Sequence, residues 1–280
     1  MQSAINPRSS WCGGGQSGRL GIEFGHAQVE GVTSHPIEDY HVAKVKQFGH
    51  GDRIGLFAIF DGHGGSEVAK YLKENLFDVV LEHPKFSTDT QLAIRESFMA
   101  IDQRILDMGE TSRAWRAGST ATTAFLMDKG RLIVANVGDS RAILSRGKVA
   151  IDLSVDHEPQ KPQEREMIES KGGEVSRIIS GDVYRVDMTL AMSRAFGDYT
   201  LKAHITVEPD IWDDELTADD EFFIIASDGL WHVMSSQEAV DLAREAPGAK
   251  EAAKALIQAA VRRHSRDDIS VLVVGLGVNE

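Results

Sequence analysis

The chain has 280 residues, of which 42% are hydrophobic and 26% charged, and its formal net charge at pH 7 is −13. This composition is typical of a soluble globular protein, and the negative charge argues against nucleic acid or an anionic membrane as a partner because phosphates would be repelled. Cys12 is the one cysteine, which excludes an internal disulfide and a cysteine-based zinc site.

The N-terminal segment, residues 1–20, is rich in Ser and Gly, and we predict that it is flexible. It has no charged region followed by an apolar core, so we expect no secretory signal and a cytoplasmic or nuclear location. No apolar run of the chain approaches the length of a membrane-spanning helix. Residues 21–280 show no linker and no repeat, which predicts one domain, and we expect a monomer.

Six short segments are typical of β-strands because they are rich in β-branched or aromatic residues and are bounded by Gly, Asp or Ser. In chain order they are "LFAIFD", "STATTAFLM", "RLIVANVGD", "SRAILS", "EFFIIASD" and "ISVLVVGL". The sequence "MDKGR" predicts a tight hairpin between the second and the third.

The helical segments are separate from these strands and carry apolar residues at helical spacing. Thr88 with Gln91 predicts a capping box, a helix is expected near residues 159–171, and Ser235 with Glu238 would cap another. Hairpin-linked strands with helices set apart predict stacked antiparallel sheets that are covered by helices.

Several predicted strands end or begin at an acidic residue. These acids are Glu38 and Asp39 in "PIEDY", Asp61 after "LFAIF", Asp139 after "LIVANVG", Asp228 after "FFIIAS" and Asp267 before "DISVLVV". Any one of them, taken alone, is more often a turn former that binds its own backbone. As a set, carboxylates beside glycines are oxygen ligands of the kind that Mg²⁺ or Mn²⁺ prefers. Two such ions would activate a water molecule and hold a phosphoryl group.

His63 follows Asp61 in the glycine-rich turn "DGHGG". A lone histidine is usually a hydrogen-bonded structural residue, but this one lies beside a candidate metal ligand and titrates near neutral pH. It is therefore a candidate for proton transfer.

Nine motifs occur in an order and spacing that resemble the protein phosphatase 2C family of metal-dependent serine/threonine phosphatases, above all its plant members. They are "PIEDY", "FDGHGG", "GSTATTA", "VANVGDSRA", "DHEP", "LAMSRAFGD", "VEPDI", "ASDGLW" and "SRDDISV". The resemblance covers about residues 22–277. It implies an α+β fold, a four-layer α-β-β-α sandwich of two antiparallel sheets flanked by helices, with residues 21–280 as the catalytic domain.

The resemblance also implies a site with two Mn²⁺ or Mg²⁺ ions. Its protein ligands would be Asp61, the Gly62 carbonyl, Asp228 and Asp267, with Glu38 and Asp39 acting directly or through water, and Asp139 would help to hold a third, weaker ion. His63 would be the general acid for the leaving serine or threonine, and a metal-bound hydroxide would attack the phosphorus directly.

Three positions depart from the family pattern. Ser34, with His35 beside it, stands where the family often has a phosphate-docking Arg, so phosphate affinity would come from the metals or from a basic group such as Arg194. His232 replaces an Asp that supports the third ion, and Asp268 stands where Asn is common.

Phosphorylated proteins are the partners that the resemblance implies. The abscisic-acid co-receptor branch of the family engages its receptor through a Trp in the loop before "LAMSR", but residues 171–189 of this chain contain no Trp and have Ile178 and Ile179 nearest to its place. We therefore expect no binding to abscisic-acid receptors. A non-catalytic module on the same fold, and a hydrolase for small phosphate esters, are the alternatives to a protein phosphatase.

Overall fold

The computed structural model describes residues 10–17, 20–48, 51–179 and 183–277. Within these ranges the longer strands are β1 Ser10–Ser17, β2 Ile22–Val29, β3 Tyr40–Phe48, β4 Asp52–Phe60, β7 Ala121–Met127, β8 Arg131–Val137, β9 Arg141–Arg146, β10 Val149–Asp152, β14 Asp210–Glu215, β15 Asp220–Ala226 and β16 Ile269–Gly275. The short strands are β5 Gly62–His63, β6 Gly118–Ser119, β11 Val175–Ser176, β12 Arg185–Val186 and β13 Phe196–Gly197. The helices are α1 Glu67–Glu82, α2 Thr90–Thr111, α3 Pro162–Ser170, α4 Asp228–Trp231, α5 Ser236–Arg244 and α6 Ala249–Arg262.

The longer strands form two antiparallel sheets that pack face to face. One sheet has the strand order β1-β2-β16-β15-β9-β10, and the other has the order β14-β8-β7-β4-β3. Phe57 and Ile59 of β4 meet Phe223 and Ile225 of β15 in the apolar layer between the sheets. Because side chains alternate along a strand, the remaining faces of both sheets are free to pack against helices.

Helices cover both outer faces of the sandwich. Residues of α1 and α2 share a core with the outward side chains of β4, such as Leu56 and Phe60. On the opposite face, α4, α5 and α6 share a core with Ile224 of β15 and Val273 of β16. The four-layer α-β-β-α sandwich that the sequence predicts is therefore confirmed. No helix in the described ranges has the length and apolarity needed to cross a membrane.

The prediction of a flexible segment over residues 1–20 is wrong for residues 10–17. These residues form β1, an edge strand that pairs with β2 along its whole length, from Ser10 opposite Val29 to Ser17 opposite Ile22. Its glycines allow close packing: a side chain at Gly13 would overlap the His26 ring at 2.5 Å. Residues 1–9, 18 and 19 lie outside the described residues.

The helix-cap and turn signals of the sequence are confirmed in part. The capping box of Ser235 and Glu238 is present, and α3 lies within the range expected for it. The predicted box of Thr88 and Gln91 is wrong: Asp89 is the N-cap of α2 and accepts a hydrogen bond from the Leu92 amide. The turn in "MDKGR" joins β7 to β8 as expected, through a short 3₁₀ turn.

Candidate metal centre and active site

Aspartates from both sheets meet at one edge of the sandwich. Asp39 precedes β3, Asp61 follows β4, Asp139 follows β8, Asp228 begins α4 after β15, and Asp267 precedes β16. Since β3 is antiparallel to β4, and β15 to β16, the end of one strand and the start of its partner lie at the same edge. The structure thus brings together acids that are up to 228 positions apart in the chain (Asp39 to Asp267).

The pKa values of these aspartates reflect their burial and their mutual repulsion. Burial raises the pKa of Asp61 well above its usual value, and Asp39, Asp228, Asp139 and Asp267 raise it further by repulsion. Burial, with repulsion by other aspartates, also raises the pKa of Asp39 and of Asp228 to about 7, and that of Asp139 to about 8. Such shifts mark like charges that share a site with little water.

Several carboxylate oxygens of this group lack a protein partner. Both side-chain oxygens of Asp39 and Oδ1 of Asp139 are buried and have no donor in hydrogen-bond geometry within the described part of the chain, although the nearby Ser270 and Ser227 hydroxyls lower the pKa of Asp39. Burial of an unpaired carboxylate is costly, and a hard divalent cation is the partner that such oxygens fit. In the described residues no three His, Cys, Asp or Glu side chains are already arranged as ligands of one ion, so the fit rests on donor chemistry and burial.

Asp268 links the segments that carry three of the acids. Its carboxylate accepts hydrogen bonds from the Gly31 amide (2.7 Å) and the Glu38 amide (2.9 Å), which are the two ends of the loop between β2 and β3. Its own amide donates to Asp267 Oδ1 at 2.9 Å. A side chain at Gly229 would overlap the Asp268 carbonyl, so the glycine after Asp228 permits this approach. The sequence predicts only that Asp268 is a neighbour of the ligand Asp267. In the structure it also holds both ends of the loop between β2 and β3.

Thr120 connects two other acids of the group. Its hydroxyl accepts a hydrogen bond from the Asp61 amide at 3.0 Å and lies 2.9 Å from the hydroxyl of Ser140, the residue after Asp139. The Thr120 amide donates to the Asp61 carbonyl at 2.9 Å. The loops that carry Asp61 and Asp139 therefore have a fixed relative position.

His63 forms a hydrogen-bonded pair with Asp198. Its Nε2 lies 2.8 Å from Asp198 Oδ2, whereas its Nδ1 is buried and has no partner among the described residues. Burial opposes a charge on the ring, but Asp198, Asp139 and Glu38 together outweigh it, and the pKa of His63 is raised. Gly118 makes the pair possible, because a side chain there would overlap both His63 and Asp198.

The remaining sequence candidates lie around this group in different ways. Glu38 is half-buried, and burial raises its pKa with a further contribution from Asp268. Gly62 lies against the Glu38 carbonyl, which a side chain at position 62 would approach to 2.6 Å. The exposed His35 side chain contacts the Pro36 carbonyl at 3.0 Å and is 3.9 Å from Glu38.

Arg194 is engaged elsewhere. Its guanidinium donates to both oxygens of Glu164, to the Glu208 carbonyl and to Asp210 Oδ1. The structure therefore places it in a partly buried ion-pair network instead of leaving it open towards a phosphate. His232, the residue that departs from the family's third-ion pattern, lies 3.6 Å from Asp228.

Three of these residues received no role from the sequence: Asp198, Gly118 and Thr120. Asp198 and Thr120 stand in motifs of the resemblance, "LAMSRAFGD" and "GSTATTA", but their partners are distant in the chain. His63 and Asp198 are separated by 135 positions. Only the folded structure shows that they touch.

Comparison with known proteins shows the family of the chain. A family model described as protein phosphatase 2C matches residues 25–269. Probable protein phosphatase 2C 58 of Arabidopsis thaliana is 51% identical over 253 residues, covering 90% of this chain and 87% of that protein. Probable protein phosphatase 2C 62 of Oryza sativa subsp. japonica is 49% identical over 256 residues, covering 90% and 86%.

Solved structures agree at the level of the fold. The crystal structure of serine-threonine phosphatase 2C from Toxoplasma gondii has a TM-score of 0.82 at 23% identity and covers 97% of this chain and 99% of that one. The family model and the plant relatives, together with this fold, show a hydrolase of the metal-dependent phosphatase type. The chain belongs to the protein phosphatase 2C family and is a serine/threonine protein phosphatase.

The raised pKa values predict that the metal-free protein loses stability as the pH rises from 7 to 8.5. The folded protein retains protons on Asp139 and its neighbours that the unfolded chain has already released, so stability is lost as the pH passes the folded pKa of about 8. His63, whose pKa is raised by Asp198 despite burial, contributes in the same direction, whereas His26 and His41, whose pKa values burial lowers, titrate below this window.

Thermal unfolding in EDTA at both pH values tests this prediction. We expect the melting temperature to fall by a few degrees, since each such proton contributes up to about 1.4 kcal/mol per pH unit. Mn²⁺ in place of EDTA should raise it, more at pH 8.5 than at pH 7. Asp139→Asn should flatten the dependence in EDTA. An equal slope in the variant and the wild type would contradict the assignment.

A second prediction concerns Asp268. In Asp268→Asn the side chain has one acceptor oxygen in place of two, so the Gly31 or the Glu38 amide loses a hydrogen bond to a charged group, worth about 1.5–3 kcal/mol. The loop that carries Glu38 and Asp39 should be held less well, and half-saturating Mn²⁺ should rise about tenfold in calorimetry and in phosphatase assays. Asp219→Asn is the control, because this exposed residue loses the same charge. Unchanged Mn²⁺ binding in Asp268→Asn would show that the clamp does not position the loop.

Proposed function

We propose that this phosphatase hydrolyses phosphoserine and phosphothreonine in proteins with two Mn²⁺ or Mg²⁺ ions at the edge where the aspartates meet. The observation that supports this proposal is the convergence of buried carboxylates, among which both oxygens of Asp39 and one of Asp139 have no hydrogen-bond partner in the described part of the chain. Bound ions would neutralise these acids, lower the pKa of a coordinated water and stabilise the charge on the phosphoryl group.

The residues of the centre would divide the ligand roles as the family resemblance implies. Asp61, the Gly62 carbonyl, Asp228 and Asp267 would hold the two ions. Glu38 and Asp39 would complete the centre directly or through water, since both Asp39 oxygens are free of protein partners among the described residues. Asp139, whose Oδ1 is likewise without a partner, would contribute to a third and weaker site.

His63 would supply the proton for the leaving group. Because Nε2 contacts Asp198, the nitrogen without a partner among the described residues is Nδ1, which is buried, so a small movement of the ring would have to bring it to the substrate. Asp198 would orient the ring and keep it protonated, so that Nδ1–H donates to the serine or threonine oxygen as the P–O bond breaks. Asp198 would therefore be a positioning residue for the general acid.

The phosphate itself would be bound mainly by the metal ions. Arg194 is held by Glu164 and Asp210, and His35 is an exposed side chain at the start of the β3 segment. The structure thus favours the first of the two sources of phosphate affinity that the sequence left open. Arg194 would instead stabilise the segment around α3.

Removal of metal or of a ligand tests the main proposal. The wild type should release phosphate from a phosphothreonine peptide with Mn²⁺ and stop in EDTA. Asp228→Asn removes a charge that offsets the cations, so both Mn²⁺ affinity in calorimetry and turnover should collapse. If Asp228→Asn keeps wild-type turnover at low Mn²⁺, the metal-centre assignment is wrong.

Leaving-group dependence tests the role of His63. His63→Gln should bind Mn²⁺ normally but lose roughly 10²–10⁴ in rate on phosphothreonine, the usual contribution of a general acid. The loss should be much smaller on p-nitrophenyl phosphate, whose leaving group needs little protonation. Asp198→Asn should show the same pattern to a lesser degree. Equal losses on both substrates would argue against proton donation.

We also propose that abscisic-acid receptors do not inhibit this enzyme. Ile178 and Ile179, 61% and 70% exposed, stand nearest to the position of the Trp used by the co-receptor branch, and neither has an N–H donor in its side chain. A receptor titration with abscisic acid should leave phosphopeptide hydrolysis unchanged. Stoichiometric inhibition at submicromolar receptor would contradict this proposal.

A further inference from the structure

A small cavity lies on the surface beside the His63 turn. It has a volume of about 290 Å³ and is lined by Glu67, Lys70, Tyr71, Glu74 and Trp115. Four of these residues come from the first two turns of α1, at positions i, i+3, i+4 and i+7, which share one face of a helix. The fifth comes from the 3₁₀ turn Arg113–Arg116 that precedes β6. None of the five belongs to the metal centre.

Two aromatic rings form the apolar part of the cavity. The rings of Tyr71 and Trp115 pack edge to face, with centroids 5.5 Å apart and planes at 86°. In this arrangement the edge of one ring points at the face of the other, and both side chains line the cavity while packing in part against the core. Aromatic faces attract cations such as ammonium and guanidinium groups.

The charged residues of the cavity favour a cation as well. Glu67 and Glu74 form no salt bridge within the described residues, and Lys70, which is exposed, leaves the lining with a net charge of −1. By contrast, Lys73 on the neighbouring face of α1 lies over the Tyr40 ring at 5.2 Å. A basic side chain that entered the cavity would meet two carboxylates and two rings.

The cavity lies close to the turn that carries His63. Glu67 lies so near Gly65 that a side chain there would approach its Oε2 to 2.7 Å, and Ala117 borders the same point at 3.3 Å. Gly65 is two residues from His63, and Ala117 precedes Gly118, which touches the His63–Asp198 pair. Since His63 would protonate the leaving serine or threonine, the substrate backbone would pass close to this turn.

We propose that this cavity, the α1–Trp115 pocket, binds a lysine or arginine side chain of the phosphoprotein substrate near the phosphorylated residue. The inference rests on the proposed function, because it takes the direction of the substrate from the role of His63. It makes the enzyme selective for phosphorylation sites with a basic neighbour.

Paired phosphothreonine peptides test the pocket. Each pair carries arginine or its neutral isostere citrulline at one position, scanned over three residues on either side of the phosphothreonine. The readout is the ratio of kcat/KM for arginine over citrulline, so a general loss of activity cancels. One or two positions should give a ratio of about three to ten, the size expected of an exposed cation–π contact assisted by carboxylates.

Variants then assign that ratio to the pocket. Trp115→Ala, Glu67→Gln and Glu74→Gln should each bring it towards one, whereas Lys70→Gln should increase it. Glu82→Gln is the matched control: it removes the same charge from the far end of α1, about 12 Å from position 74 and beyond the screening length at physiological salt. It should leave the ratio unchanged.

Three outcomes would overturn the inference. They are a ratio near one at every position, a ratio that persists in both Trp115→Ala and Glu67→Gln, and a ratio that falls equally in Glu82→Gln. Absence of Mn²⁺-dependent hydrolysis of every peptide and of p-nitrophenyl phosphate by the wild type would instead overturn the proposed function, and the pocket with it.

Discussion

The repulsion among carboxylates at one edge of the sandwich is the interaction on which the rest of the structure depends. Asp61 is destabilised as an anion by burial and by four other aspartates. A fold that gathers such charges without a cation stores an electrostatic cost, which the apolar layers of the sandwich must outweigh. A divalent cation bound there, as the proposed function requires, would neutralise the acids and remove this cost. Stability and metal binding would then depend on the same residues.

The antiparallel topology explains how so many acids reach one place. In each sheet, a strand that ends at this edge pairs with a strand that begins there: β4 with β3, and β15 with β16. Asp39 therefore lies beside Asp61, and Asp228 beside Asp267. Close backbone approaches then hold the two sheets' loops together, through the Asp268 carboxylate on one side and the Thr120 hydroxyl on the other. The precision of the centre comes from hydrogen bonds to backbone amides, which do not depend on the metal.

The sequence is most informative where the signal is local. Apolar strands that end at an acid and a glycine mark Asp61 and Asp228, and Ser235 with Glu238 marks a helix start, because each pattern is complete within a few residues. The resemblance adds the order of the motifs and hence the α+β sandwich. Contacts between distant residues are not visible in this way: neither the pairing of His63 with Asp198 nor the capture of Arg194 by Glu164 leaves a local pattern.

The composition of the N-terminal segment led to a wrong prediction for residues 10–17, because pairing with β2 determines their structure. The run of Ser and Gly around Gly13 is typical of flexible chain, yet those glycines are what allow β1 to lie against the His26 ring. Arg194 shows the opposite error. A basic residue near conserved-looking motifs suggests a phosphate ligand, but two acids on α3 and β14 already satisfy it. In both cases the tertiary partner, and not the residue type, determines the role.

The register of β1 has a practical consequence for handling the protein. Ser10 pairs with Val29, and Val29 pairs with Ile269 at the start of β16, so the first residue of β1 lies at the edge that carries the acids, two strand spacings or about 10 Å from β16. The end of β16, Gly275, pairs with Glu23 at the opposite edge. An affinity tag or fluorescent fusion joined ahead of β1 would emerge on the side that carries the acids, where a polyhistidine tag could compete for the assay metal. A fusion after β16 would emerge on the far side and leave the substrate's approach open.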